Sequence, residues 1–166
     1  MLANGKTSRL YRRLVFDERL ATDVSATQNS REAGGLAQIT ATAAPGYSLA
    51  ELERAIADEV ARLAADGPTD DEIDRGRVQV ESQFMFRLQS VGGFGGKSDQ
   101  LNAYNVFLGD PGFFERDLAR YQRVTRDSLA AVVGSFLNHP RRVALSIVPH
   151  GRHDLALPGS AAVAAA

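Results

Sequence analysis

The sequence has no cysteine, no tryptophan, and only two lysines and three histidines in 166 residues. The missing cysteines exclude a disulfide scaffold, a thiolate zinc site and a cysteine nucleophile together. With histidine confined to His139, His150 and His153, metal and triad chemistry have few places to sit. An excess of charge of one sign is also missing. Nineteen basic against twenty acidic side chains give a net charge of −1, which argues against a nucleic-acid-binding surface. No apolar run approaches the roughly 20 residues of a membrane span. Met1 opens onto Leu2-Ala3-Asn4-Gly5-Lys6, which has neither the apolar stretch nor the cleavage site of a signal peptide. What is present, 44% hydrophobic and 23% charged residues, is the composition of one globular domain.

Periodicity gives the elements. A short helix is expected from Thr7 or Ser8 to about Glu18. It carries Leu10 with Leu14 and Tyr11 with Val15 at helical spacing, and Arg9, Arg12 and Arg13 facing water. Residues 22–29 and 34–44 read as two strands of a hairpin, joined through Ser30–Ala33. Two capping boxes follow. Ser48-x-x-Glu51 opens a helix with Leu52, Ile56, Val60 and Leu63 on one face, and Gly67-Pro68 stops it. Thr69-x-x-Glu72 opens another with Ile73, Val80, Phe84 and Leu88. Val91–Gly96 breaks that helix. Further helices are expected through Leu101–Leu108, over 113–123, and from Thr125 to about Leu137. Residues 142–149 predict a last strand with Val143, Leu145 and Ile147 on one face. Residues 1–150 are expected to form one domain, with 151–166 a disordered alanine-rich tail or linker stub.

Segregated strands around a long helical excursion predict an α+β fold, with helices packed on one face of a mostly antiparallel sheet. Three strands make a narrow sheet for about five helices. An additional strand or a partner domain would resolve that mismatch.

No catalytic constellation is visible. Gly96-Lys97-Ser98 ends like a P-loop, but Val91 stands where the first glycine is needed, and a helix rather than a strand precedes it. Gly5-Lys6-Thr7 has no first glycine. His150-x-x-His153 has no third ligand nearby and reads as loop histidines, and His139 as a helix-end residue before Pro140. Asp70-Asp71-Glu72 is a helix cap and first turn. Ser8, Ser25, Ser82 and Ser98 lie in no Gly-x-Ser-x-Gly elbow.

Two stretches carry a resemblance. Gly5 to Gln28 (GKTSRLYRRLVFDERLATDVSATQ) and Val91 to Thr125 (VGGFGGKSDQLNAYNVFLGDPGFFERDLARYQRVT) resemble segments of the pitrilysin/insulinase-type zinc metallopeptidases, the inverzincins, which include mitochondrial processing peptidase. The second stretch is most similar to bacterial members. The resemblance covers residues 2–150 and points to the family's non-metal domain, beginning after that domain's usual first strand and helix. It implies a domain that closes a chamber over a peptide, opposite a domain with H-x-x-E-H. There zinc is bound, and a glutamate acts as general base. No H-x-x-E-H occurs in this chain, so zinc is expected in a partner domain, in cis or in trans, and none here. Many members carry an Arg and a Tyr that help hold substrate. Val15 and Thr22 stand at those positions.

The expected role is a non-catalytic domain completing a peptide-binding chamber, inactive alone. The rival is an assembly module of the same fold with no peptidase role. The loop Gly92, Gly93, Phe94, Gly95 and Gly96 is the candidate substrate or interface element, able to approach a backbone closely. Leu36, Gln38 and Thr40 mark a candidate edge for an extended peptide. Expected partners are the zinc domain and a peptide or unfolded polypeptide, without nucleic acid or a membrane span. Homo-oligomerisation and a periplasmic or cytoplasmic bacterial location both stay open.

Overall fold

The computed structural model describes residues 1–163. A π-helical segment Tyr11–Asp17 leads into strands β1 (Ala21–Arg31) and β2 (Gly34–Ala43). Helices α1 (Leu49–Asp66), α2 (Asp70–Gln89), α3 (Lys97–Leu108), α4 (Phe114–Gln122) and α5 (Arg126–Val132) follow. A second π-helical segment, Val133–Leu137, and a single 3-10 turn, His153–Leu155, come last. The class is α+β. The chain divides into two compact units, one of residues 1–66 with 130–166 and the other of residues 67–129. Residues 164–166 of the expected tail lie outside the described residues.

In the first unit, β1 and β2 pair antiparallel as a hairpin in register from Ala21↔Ala43 to Arg31↔Gly34. β1 runs longer than the sequence pattern predicts, β2 ends one residue short of it, and only Glu32 and Ala33 remain between them. Ile39, Ala41 and Ala43 of β2 pack against a core of Leu10, Leu14, Ala21, Val24, Leu52 and Ala55. Along α1, Val60 and Leu63 continue the apolar stripe and meet Val133. Ser48 caps α1 as its sequence predicts: Ser48 N–H donates to Glu51 Oε2 (2.9 Å) and Glu51 N–H to Ser48 Oγ (3.2 Å). The Ser48 N–H, and then the Ser48 hydroxyl donating to Glu51 Oε2 at 2.7 Å, hold the Glu51 carboxyl below its ordinary range.

The expectation that Arg9 and Arg13 face water is wrong. Both turn inward to Glu59, which is buried: seven residues after Leu52 and four before Leu63, it falls beside the apolar stripe of α1. Arg9 lies 3.8 Å, Arg13 3.6 Å and Arg62 2.5 Å from its carboxylate. Arg13 also donates to Ala55 O at 3.0 Å. Burial alone would lower the Arg13 pKa, but Glu18, Glu59 and Asp58 outweigh it and hold the guanidinium above its ordinary value. A buried carboxylate needs such pairing, because desolvation otherwise disfavours its charged form.

The final strand expected over 142–149 does not form: these residues carry no ladder, helix or turn. A strand exists only with a neighbour to accept its backbone groups, and this segment makes no ladder with either edge of the hairpin. The segment is anchored instead by its ends and middle. Arg142 pairs with Glu53 of α1, and Ser146 Oγ accepts from Leu157 N–H at 3.1 Å.

The second unit is built on aromatic contacts. Phe84 of α2 makes edge-to-face contacts with Phe114 (5.4 Å) and Tyr121 (5.5 Å). Such pairs add to the area they bury. Tyr104 of α3 donates its hydroxyl to Asp117 of α4 at 2.8 Å. Burial first, and then this carboxylate, push the Tyr104 pKa up to about 12. The Thr69 capping box closes α2, with Thr69 N–H donating to Glu72 Oε2 (2.8 Å) and Glu72 N–H to Thr69 Oγ1 (3.3 Å). Thr69→Ala is therefore expected to cost about 1 kcal/mol in urea unfolding. A change within error would show that the cap is not stabilising. Val78, Met85 and Phe86 of α2 stay exposed.

Candidate functional site

The edge residues sit as the strand period requires. Leu36, Gln38 and Thr40 oppose Asn29, Thr27 and Ser25 across the ladder. All three are exposed, because the alternate positions Ile39, Ala41 and Ala43 point at the core. Gln38 Nε2 donates to Thr40 Oγ1 at 3.1 Å. The outer face of β2 is thus uncharged and, apart from Leu36, free of large apolar side chains, while the other edge of β2 has no partner strand among the described residues. From Gly34 to Ala43 the strand has no charge and no proline, the features with which natural sheets protect an open edge.

The glycine loop belongs to the second unit and is tied closely to itself. Lys97 N–H donates to Ser90 O (2.8 Å), Ser98 N–H to Val91 O (3.1 Å) and Gly96 N–H to Gly93 O (3.2 Å). Ser98 Oγ also donates to Val91 O. Asp99, in the first turn of α3, accepts from Gly95 N–H at 2.9 Å. Gly93 and Gly95 take left-handed φ of 84° and 77°, a conformation that glycine adopts without steric cost. The result presents Phe94 with its ring fully in solvent.

The resemblance also singles out Val15 and Thr22. Val15 packs partly buried against the first core. Thr22 falls at the one irregularity in the hairpin register, between Ala21 and Asp23, with its Oγ1 3.4 Å from Thr42 O. Between them Arg19 holds φ of 54°, the only non-glycine residue with positive φ among those described. A π-helical segment, a left-handed arginine and a register break thus crowd into residues 11–23. Such irregularities concentrate where structure serves function. Sequence reasoning missed them, since no glycine or proline marks any of the three.

Residues 1–80 match the family profile described as the peptidase M16 inactive domain. Over those residues the chain is similar to a peptidase M16 inactive domain. The resemblance to pitrilysin/insulinase-type peptidases and their non-metal domain is thereby borne out. The fold is similar to that of a protein assigned as a zinc protease from Bordetella pertussis Tohama I, at 21% identity and a TM-score of 0.66, covering 81% of this chain and 71% of that one. It is similar to the inactive peptidase domain of another assigned zinc protease, from Bordetella parapertussis, at 20% identity and 0.66, covering 81% and 69%. A protease from Helicobacter pylori gives 20% and 0.68, with 80% of this chain covered but only 31% of that one. At these identities the likeness shows the fold. No protein of curated function matches the sequence.

Among the described residues of the chain, no group of three or more His, Asp or Glu side chains is placed to hold a metal ion. None of its described helices is long and apolar enough to cross a membrane.

Proposed function

We propose that this domain completes a peptide-binding chamber opposite a separate H-x-x-E-H zinc domain, contributing surface rather than catalytic groups. The observation that carries the reading is the match to an inactive peptidase domain in a chain whose sequence has no H-x-x-E-H. The zinc domain would supply metal-bound water and its general base. This chain would supply the open edge of β2, where an extended peptide adds through backbone hydrogen bonds with little demand on its sequence. The Gly92–Gly96 loop would present Phe94 to the peptide or the partner domain.

The test pairs binding with reconstitution. A labelled unfolded polypeptide is expected to bind the chain in fluorescence anisotropy, and cleavage is expected only once an H-x-x-E-H subunit is added. The double variant Leu36→Lys/Thr40→Lys guards the edge as natural sheets do. It is expected to weaken peptide binding at least tenfold with the far-UV spectrum unchanged, since both side chains are exposed. Cleavage by the chain alone, or binding indifferent to the two lysines, would refute the reading.

One observation favours a second reading, an assembly module. Val15 and Thr22 carry neither a guanidinium nor a phenol where many relatives hold substrate. Stable docking onto a folded partner without peptide affinity would select it.

A further inference from the structure

We infer that Arg19 is a specificity-determining residue whose guanidinium receives a carboxylate of the bound peptide, either an acidic side chain near one end or the C-terminal carboxylate. This deepens the chamber reading and rests on it, since it needs a peptide along the edge of β2.

Two observations meet at this residue. The first is its backbone. Arg19 holds φ of 54°, and every other positive φ among the described residues belongs to a glycine. A side chain in the left-handed region carries a steric cost that glycine does not. Packing does not offset that cost, because Arg19 is exposed. Its side chain makes no hydrogen bond or ion pair with any described residue. An outlier held without a structural return is a mark of function.

The second observation is charge. The other arginines of this segment are paired: Arg9 with Glu59 at 3.8 Å, Arg12 with Asp17 at 3.8 Å and Arg13 with Glu18 at 2.7 Å. The acids just before Arg19 are thus already engaged, and Asp23 of β1 makes no ion pair with it. A planar guanidinium is left in water at the start of β1, and its forked donors match a carboxylate. Val15 and Thr22, on either side of it, bring no charge.

Position gives the source of the carboxylate. Leu20 O accepts from Ala44 N–H at 2.9 Å, so Arg19 lies at the Ala43 end of the hairpin. A peptide added along β2 runs two strand spacings from β1, roughly 10 Å. Extended arginine and glutamate side chains together span that gap. Since β2 itself is uncharged, Arg19 is what would read charge at this end of the edge.

The experiment uses the full chain and three fluorescein-labelled heptapeptides of alternating valine and threonine. One has a penultimate glutamine and an amidated end, one a penultimate glutamate and an amidated end, and one a penultimate glutamine and a free C-terminal carboxylate. At low salt one of the two carboxylate peptides is expected to bind at least fivefold more tightly than the neutral one, which identifies the source. The advantage should shrink as salt rises. Arg19→Gln is expected to remove the preference and leave the neutral peptide's affinity unchanged, whereas a merely structural role would lower both. Arg19→Lys should retain part of the preference. Arg19→Gly is expected to remove it and to raise the urea midpoint, because glycine relieves the left-handed backbone. Arg31→Gln is the control: Arg31 is also exposed and unpaired, but it lies at the opposite end of the hairpin in ordinary strand backbone. A preference that survives Arg19→Gln, one that Arg31→Gln removes, or a lowered urea midpoint for Arg19→Gly would overturn the proposal. Equal affinity for the three peptides would overturn it alone, and binding of none would overturn the chamber reading with it.

Discussion

Leu14→Ala is expected to lower the free energy of unfolding by about 3 kcal/mol. Leu14 is completely buried, as is Leu10. Its neighbours in the core come from β1 and α1, Ala21, Val24, Leu52 and Ala55 among them. Removing the isobutyl group forfeits its transfer from water and leaves a cavity that this site is poorly able to close. The residue sits in a π-helical segment whose end is fixed by Glu18 N–H donating to Arg13 O at 2.8 Å. Arg13 is in turn fixed to Glu59, Glu18 and Ala55 O. A backbone held at so many points cannot move inward to fill the space. The control is Phe16→Ala, two residues on, where the ring is 74% exposed and the change should stay within about 0.5 kcal/mol. Urea unfolding of both variants checks this. A Leu14→Ala loss no larger than that of Phe16→Ala would mean that the segment is not docked on the core.

Much of this fold is legible in the sequence because its signals are local. Ser48-x-x-Glu51 and Thr69-x-x-Glu72 predict two helix starts from the chemistry of four residues each, and both boxes form. The stripe Leu52, Ile56, Val60 and Leu63 predicts the buried face of α1. The burial of Glu59 follows from its angle around the helix, beside Leu52, Ile56 and Leu63, but nothing local reports what pairs its charge. Its partners Arg9 and Arg13 lie on another helix, far away in sequence. The segment 142–149 shows the complementary limit. Period-two alternation predicts which side chains share a face, but a strand also needs a neighbour, and no pattern within eight residues reports one. At the candidate site, the edge position of β2 and the glycine loop were readable from composition. The crowding of irregular backbone into residues 11–23 was not: Arg19 adopts a left-handed φ that its residue type does not advertise.

The glycine loop offers the sharper test of how a site can be specified by space alone. Gly96 has φ of −75° and ψ of −177°, a conformation open to any residue, so conformational freedom does not explain it. Room does. A Cβ at residue 96 would lie 2.7 Å from Gly92 O and 3.0 Å from Ser90 O, both backbone atoms. Neither can give way without opening the turn. Ser90 O also accepts from Lys97 N–H, the bond that closes the loop at 2.8 Å. Gly96→Ala is therefore expected to cost about 2 kcal/mol, the range for forcing extra volume into a packed site. Hydrogen exchange should speed up at Lys97 and Ser98, and Phe94 should lose its fixed presentation. Gly92→Ala is the matched control, since a Cβ there meets nothing within 4 Å and its φ is not positive. It should be nearly silent in stability and exchange. If the two variants behave alike, the closeness at Gly96 does not hold the loop. If only Gly96→Ala loosens it, and docking of an H-x-x-E-H partner weakens in parallel, the loop acts as a shaped contact rather than a slack connection between α2 and α3.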